Sequence, residues 1–524
     1  MGYTINKLCI KRIFSFTGGI LFLLIVSCNK QLDIDSTSIA NEEGSWSTYE
    51  NARSALIGVY GLTRAAIAQN DAHWMYGELR NGDFNAVSRS DLNAIITGQL
   101  NAGYTLLESV SNWRPFYAAI NACNLFIERA AGCMADIRYT ESYYNLDIAQ
   151  VRALRAFLYF YIVRIWGDVP FTTSSGEGGG FEELSRTDQS AVLSFATTEL
   201  TEIASKLPYV YSVLDEDQLF PNNYYGESSD YWLNTPFTRL AAYAVLAHIA
   251  AWQGNYLDVA VYTQFIANNY SKSSLDYTSV SNLVSSTGVF SGGTTDNYYP
   301  LISFNFDKED GETTTDGHIE NLTIAQTTVF EMSKQLPDIY VNKDTIASMF
   351  PGNDGNDDRF GYDDQYTPPL RYTTYFENYD AEVPVFKKIR VVDGGVSDGT
   401  FAVFNSSIVF TRLEELMLLR AEALAVIGDE SDARTLLNTL RSNRSLDGIA
   451  SSVTGNDLLE EIFQERRREL IGEGWRWYDL VRLNRLTRSD ASFNTLLDND
   501  GIYWPLAQDV LSRNTKLVQN SYWN

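Results

Sequence analysis

Leu413–Asn443 reads LEELMLLRAEALAVIGDESDARTLLNTLRSN. Apolar side chains recur through it at helical spacing. Phe410, Leu413, Leu416, Met417, Leu424 and Ile427 fall on one stripe, as an amphipathic helix packed on neighbours requires, so 410–427 is predicted as a helix. Gly428 then ends that helix and Asp429 caps a second one over 430–442. Ala421, Ala423, Ala425 and Ala433 are small enough to let the two approach closely. A helix, a Gly-polar turn and a second helix with small contact residues make a hairpin of the tetratricopeptide kind.

Leu240–Asn268 repeats the design, with Gly254-Asn255 at the turn and Ala260 in the second helix. Further helices are predicted at about 47–68, 112–131, 146–166, 187–206, 236–252, 256–269 and 457–471. Long insertions separate the hairpins, so there is no regular 34-residue array. The fold class is therefore mainly α, a scaffold of helical hairpins carrying a loop-rich part with short β pieces. Two insertions stand out. Residues 271–408 are rich in Gly, Ser, Thr, Asp and Tyr, with β-prone pieces at Tyr299–Phe306, Val383–Val392 and Phe401–Phe404. The shorter one, 69–104, carries His73-Trp74-Met75-Tyr76 and Arg80-Asn81-Gly82-Asp83-Phe84. Loops of such length in a compact domain are usually functional.

The N-terminus reads as an export signal. Lys7, Lys11 and Arg12 precede an apolar run that is too short and too Gly-interrupted for a membrane span and ends in Leu24-Ile25-Val26-Ser27-Cys28. An aliphatic residue three positions before a cysteine, then small residues, is what a lipoprotein signal peptidase reads. That reading is preferred to an ordinary signal peptide or an uncleaved anchor. Residues 1–27 are expected to be removed, Cys28 to be lipidated, 28–45 to form a polar tether, and 46–524 to form a single domain. Multiple acyl chains would anchor the protein firmly in a membrane. The chain carries a formal charge of −26, and loss of Lys7, Lys11 and Arg12 takes it to −29. So acidic a chain is repelled by nucleic acid and by anionic lipid, which leaves the lipid tether to hold it.

Cys123 and Cys133 lie on one predicted helix, about 15 Å apart if it is continuous, too far for a disulfide. A bridge would need that helix to end near Gly132, and two free, buried thiols are favoured. His73, His248 and His318 show no pairing at metal-ligand spacing, and His248 sits in an apolar helix as a core residue would. Asn353-Asp354-Gly355-Asn356-Asp357-Asp358 clusters oxygens but lacks EF-hand spacing, which favours a solvated turn over a calcium site. Gly395-Val396-Ser397-Asp398-Gly399 matches the nucleophile-elbow pattern without the helix that must follow it. No metal and no cofactor is expected.

Aromatic residues make up 13% of the chain. Rings in the insertions lie in polar surroundings without a helical stripe, where they could stack on sugar faces while Asn, Asp and Arg bond the hydroxyls. Trp74, Tyr76, Tyr298, Tyr299, Tyr366, Tyr372 and Tyr375 are the candidate ligand-binding rings, with Arg80, Asp83 and Asn85 as polar partners. The charged cluster Arg466, Arg467, Glu469, Glu473, Arg476 and Asp479 looks like an active site. It reads better as an interlocking ion-pair network fixing the last helix against the repeats.

Several segments in order resemble the SusD/RagB family over nearly the whole chain. They are the cysteine followed by Leu32-Asp33-Ile34-Asp35, Trp113…Tyr117…Ile120-Asn121…Asn124, and Val151–Phe160 leading to Trp166-Gly167-Asp168-Val169-Pro170. Asp357-Asp358-Arg359, Glu465–Leu470 with Glu473–Leu480, and Trp504-Pro505-Leu506 with Asn514 and Gln519-Asn520 complete the match. Pro505-Leu506-Ala507 departs from the family's Pro-Ile-Pro. The resemblance implies about four tetratricopeptide-like units and ligand contacts in the two insertions. It also implies a place on the outer face of the outer membrane, as the lid of a SusC-like TonB-dependent barrel that imports oligosaccharide, or in some members peptide. Catalysis is no part of the family pattern. A surface glycoside hydrolase, the remaining alternative, would need two facing carboxylates that nothing in the helical pattern singles out.

Overall fold

The computed structural model describes residues 44–176, 183–219, 223–232, 236–292, 300–306, 315–325, 334–351, 357–360, 362–363, 370–371, 374–395 and 402–524. Cys28 and most of the tether, Tyr298, Tyr299, Tyr366, Tyr372, and nearly all of the Asn353–Asp358 and Gly395–Gly399 stretches lie outside the described residues.

Ten helices of twelve or more residues run through the described residues. They are α1 Tyr49–Ala68, α2 Arg114–Arg129, α3 Glu141–Trp166, α4 Gln189–Ile203, α5 Arg239–Gln253, α6 Tyr256–Asn269, α7 Leu413–Ile427, α8 Glu430–Ser442, α9 Gly455–Leu470 and α10 Arg476–Thr487. The first eight pack as four pairs, α1 with α2, α3 with α4, α5 with α6 and α7 with α8. Contacts of α2 with α3, α4 with α5 and α6 with α7 stack the pairs in chain order. This is the mainly helical, tetratricopeptide-like scaffold that the hairpin sequences predict.

Local chemistry explains the two clearest hairpins. Gly254 and Gly428 end α5 and α7 in the left-handed conformation, with φ of 77° and 93°, where glycine carries no steric penalty. Asn255 and Asp429 then accept the N–H groups of Asp258 and Asp432 as N-caps of α6 and α8. Helix α3 is the axis of the first half. Every residue from Val151 to Trp166 except Arg152 is buried, as expected of a helix with neighbours on all sides.

Three expectations need correction. Phe410 does not begin α7. It lies on strand Ile408–Thr411, which pairs antiparallel with Ile302–Phe304 and closes the base of the large insertion. The β-branched Ile408, Val409 and Thr411 favour that pleated pairing. Helix α10 and the short helix Ala491–Asp498 lie beyond the last predicted helix. In α10 the buried set includes Asp479, Arg482 and Asn484, which hides the apolar period. Residues 69–104 are not an open loop either. Asn70 and Asp71, with positive φ, turn the chain off α1 into a buried π-helical turn at Met75–Leu79 and a helix at Ser90–Ile96.

Short strands at Val385–Phe386 and Val403–Phe404 fall within the predicted β pieces, and the strand Val392–Asp393 begins at the last residue of one. Helix α2 stops at Arg129, a 3-10 turn follows at Ala130–Ala135, and Cys123 and Cys133 are both buried and free. Among the described residues no helix is long and apolar enough to cross a membrane.

Candidate functional site

Trp74, Tyr76, Arg80 and Tyr375 are expected from the sequence to face a ligand. The structure corrects this. Trp74 is 2% exposed and its Nε1 donates to the Gly472 carbonyl at 2.8 Å. The Tyr76 hydroxyl donates to the Val110 carbonyl at 2.5 Å, between the rings of Trp166 and Trp504. Arg80 is buried over the Trp477 ring and donates to the carbonyls of Gly501 and Ile502. Tyr375 is fully buried. Their polar neighbours in sequence are themselves turned inward. Glu78, for instance, accepts the N–H groups of Gly472 and Gly474 at 2.9 Å each, and burial pushes its carboxyl up to about 7. Gly474 must be glycine here, since at φ +82° an added Cβ would meet His73 Nε2 at 2.4 Å.

Asp83 is buried as well, taking Arg467 at 2.5 Å and Arg476 at 3.3 Å. It belongs to the ion-pair network. Glu469 on α9 accepts from Arg444, Arg359 and Arg412 at 2.8–3.0 Å. Glu473 takes Arg412 at 2.9 Å and Lys388 at 2.5 Å. Asp479 takes Arg466 at 3.0 Å and Arg482 at 2.8 Å, and Arg466 also reaches Glu415 at 2.8 Å. The chain of pairs ties α7, α9 and α10 to Asp357-Asp358-Arg359 and Lys388 of the large insertion. Burial alone would raise these carboxyls. The facing guanidiniums outweigh it, holding Glu465 at about 2 and Glu469 well below the usual carboxylate range. Carboxylates held ionised this firmly make anchors, not proton donors at neutral pH.

The histidines are separate core residues. His73 meets the Tyr161 hydroxyl and the Glu473 carbonyl at 3.0 Å, and burial lowers it to about 4. His248 lies 3.1 Å from Glu415, and His318 Nδ1 lies 2.8 Å from the Ser406 carbonyl. Among the described residues no group of three His, Cys, Asp or Glu could hold a metal ion.

Accessible polar groups lie elsewhere on the insertions. Asn85 and Ala86 pair antiparallel with Tyr340 and Ile339, and Val87 N donates to the Asp338 carbonyl at 2.9 Å, so a β-ladder stitches the two insertions together. Asn85 and Tyr340 are both half-buried at this seam. Beside them Arg89 bridges Asp91 at 2.6 Å and Asp338 at 3.5 Å, and Lys334 reaches Asp338 at 3.1 Å. Asn85 is the one described residue of the predicted ligand set that keeps an accessible position. Tyr340, Arg89 and Asp338 were not anticipated, because an isolated tyrosine and common charges carry no signal without the ladder that joins them.

A polar cleft of about 510 Å³ opens in the large insertion, lined by Val284, Ser286, Thr374, Glu377, Lys387, Arg390 and Val392. The hairpin Phe376–Glu377 to Val385–Phe386 positions its charged wall. Arg390 donates to both Glu377 oxygens at 3.1–3.2 Å, and Lys387 Nζ stands 3.7 Å from Glu377. A second cleft, about 450 Å³, lies on the scaffold between Trp113, Tyr117 and the C-terminal Val510–Leu517. Both are of a size that takes small ligands.

Comparison with known proteins accords with this architecture. Residues 222–523 match the sequence model of the SusD family. A SusD superfamily protein of Bacteroides thetaiotaomicron shares 44% identity with this chain in its crystal structure, over 91% of this chain and 99% of its own, with a TM-score of 0.81. A SusD-like protein of Formosa agariphila is 25% identical over 96% of this chain and 98% of its own length. A laminarin-binding SusD-like protein shares the fold, at 18% identity and a TM-score of 0.64 over 91% of this chain and 99% of that one.

Proposed function

The chain belongs to the SusD family, whose members are binding proteins without catalytic activity, and on that basis we propose that it captures oligosaccharide at the cell surface. The protein is held at the outer membrane by lipid on Cys28. It offers the ligand on the joined insertions and passes it to a SusC-like TonB-dependent barrel. No bond is broken. Ring stacking and hydrogen bonds do the holding, and the barrel completes the site.

The observation that carries this reading is the ladder between Asn85–Ala86 and Ile339–Tyr340. Two segments far apart in the chain, at 85–86 and 339–340, are fixed edge to edge on a helical base, which limits the ordering cost of binding. The likeness to a laminarin-binding relative points to glycan as the ligand class. The test is a screen of the full-length protein against arrayed polysaccharides and oligopeptides, with product analysis of the same samples. Glycan binding without cleavage is expected. Binding confined to peptides would replace the ligand class, and cleavage would overturn the reading as a whole.

A further inference from the structure

Glu377, Lys387 and Arg390 put two cations and one anion on the wall of the cleft in the large insertion, in a chain whose formal charge is −26. The surplus positive charge resides on Lys387. Arg390 engages both Glu377 oxygens, whereas Lys387 Nζ pairs with that carboxylate only loosely, at 3.7 Å and beyond hydrogen-bond distance. No other acceptor among the described residues takes this ammonium, which is about a quarter exposed. Around it lie the exposed hydroxyl of Ser286 and the apolar faces of Val284 and Val392. Thr374, also in the lining, donates its hydroxyl to the Asp358 carbonyl at 2.9 Å. The next residue after Val392, Asp393, sits on the opposite face of its strand by the alternation of side chains.

We propose that this cleft binds an acidic saccharide, with Lys387 pairing to a carboxylate or sulfate on the sugar and the valines meeting the ring's C–H face. The proposal rests on the glycan reading above and adds the charge class of the ligand. The physical reason is selectivity. The overall field of an acidic protein repels anions, so a locally cationic cleft, with two cations on one carboxylate and the Lys387 ammonium only loosely paired at 3.7 Å, favours an anionic group that the rest of the surface rejects. Arg390 contributes by sharing the Glu377 carboxylate with Lys387, so that this one anion cannot neutralise both cations.

The test is titration calorimetry of the full-length protein in detergent with three probes: oligogalacturonate, a sulfated oligosaccharide and a neutral β-glucan oligosaccharide. Each is run at low and high sodium chloride. An acidic probe is expected to bind tightest, with affinity falling several-fold as salt rises. Lys387→Gln is expected to weaken that probe about tenfold while leaving the thermal midpoint unchanged, and Lys387→Arg to retain binding. Glu377→Gln is expected to strengthen it. The carboxylated and sulfated probes distinguish the two anionic groups. If the neutral glucan binds best and Lys387→Gln leaves it unaffected, the acidic-ligand inference falls and the glycan reading stands. If none of the three saccharides binds, both fall. Silence toward both acidic probes, with the glucan bound, also overturns the inference.

Discussion

The Trp74 indole donates across 2.8 Å to the carbonyl of Gly472, a residue 398 positions away, and this bond turns an apparent ligand platform into the floor of the molecule. The turn that receives it, Gly472–Gly474, also gives its N–H groups to Glu78. The small insertion is thereby clamped to the junction of α9 and α10, and only its later part, from Asn85 on, reaches the seam with the large insertion.

Trp74→Ala is accordingly a stability variant. Removing a fully enclosed indole is expected to cost about 3–5 kcal/mol, read as a lower denaturant midpoint in urea unfolding. A variant that keeps wild-type stability but loses ligand would contradict the burial of Trp74.

Tyr340→Ala should behave in the opposite way. The ring is half-buried at the seam, so its loss is expected to change stability by less than about 1 kcal/mol. Glycan affinity is expected to fall about tenfold. Parallel measurement of thermal midpoint and binding separates the two effects.

Glu469 neutralises part of a triad of buried guanidiniums, Arg359, Arg412 and Arg444. Glu469→Ala leaves them short of a counter-charge and is expected to destabilise by about 3–5 kcal/mol. Restoration of stability by a second change, Arg444→Met, would show in a double-mutant cycle as a non-additive term.

Acid should release the same network. Glu465 is held at about 2 in the folded protein, below its ordinary 4.5, because Arg359, Arg468 and Arg441 outweigh the burial that opposes them. Its contribution is full above the ordinary carboxylate value and is lost as pH falls through the folded value. The stability gap between wild type and Glu465→Gln is therefore expected to narrow between pH 5 and pH 2, as followed by chemical denaturation.

Glu78 has the opposite sign. Burial raises it from 4.5 to about 7, so its contribution is full below pH 4.5 and is lost as pH rises through 7. Relative to Glu78→Gln, the wild type is expected to lose on the order of 3 kcal/mol between pH 4 and pH 8. A pH-independent gap would show that this carboxyl stays ionised throughout.

The scaffold was legible from local sequence. Helical hairpins are local objects: the apolar stripe, Gly428 with Asp429, and Gly254 with Asn255 all act within a few residues, so periodicity and capping expose them directly. The same locality located the two insertions, by composition, and marked Arg466–Asp479 as a structural charge cluster. Exposure was decided by tertiary structure alone. Trp74, Tyr76 and Arg80 occupy a stretch that reads as polar loop, yet they are enclosed by residues 110, 166, 472, 477 and 501–504, none of them near in sequence. Conversely, Tyr340 and Lys387 carry no pattern of their own. They gain meaning from a two-residue ladder and a cleft wall, which long-range backbone hydrogen bonds and ion pairs create only when the chain is folded.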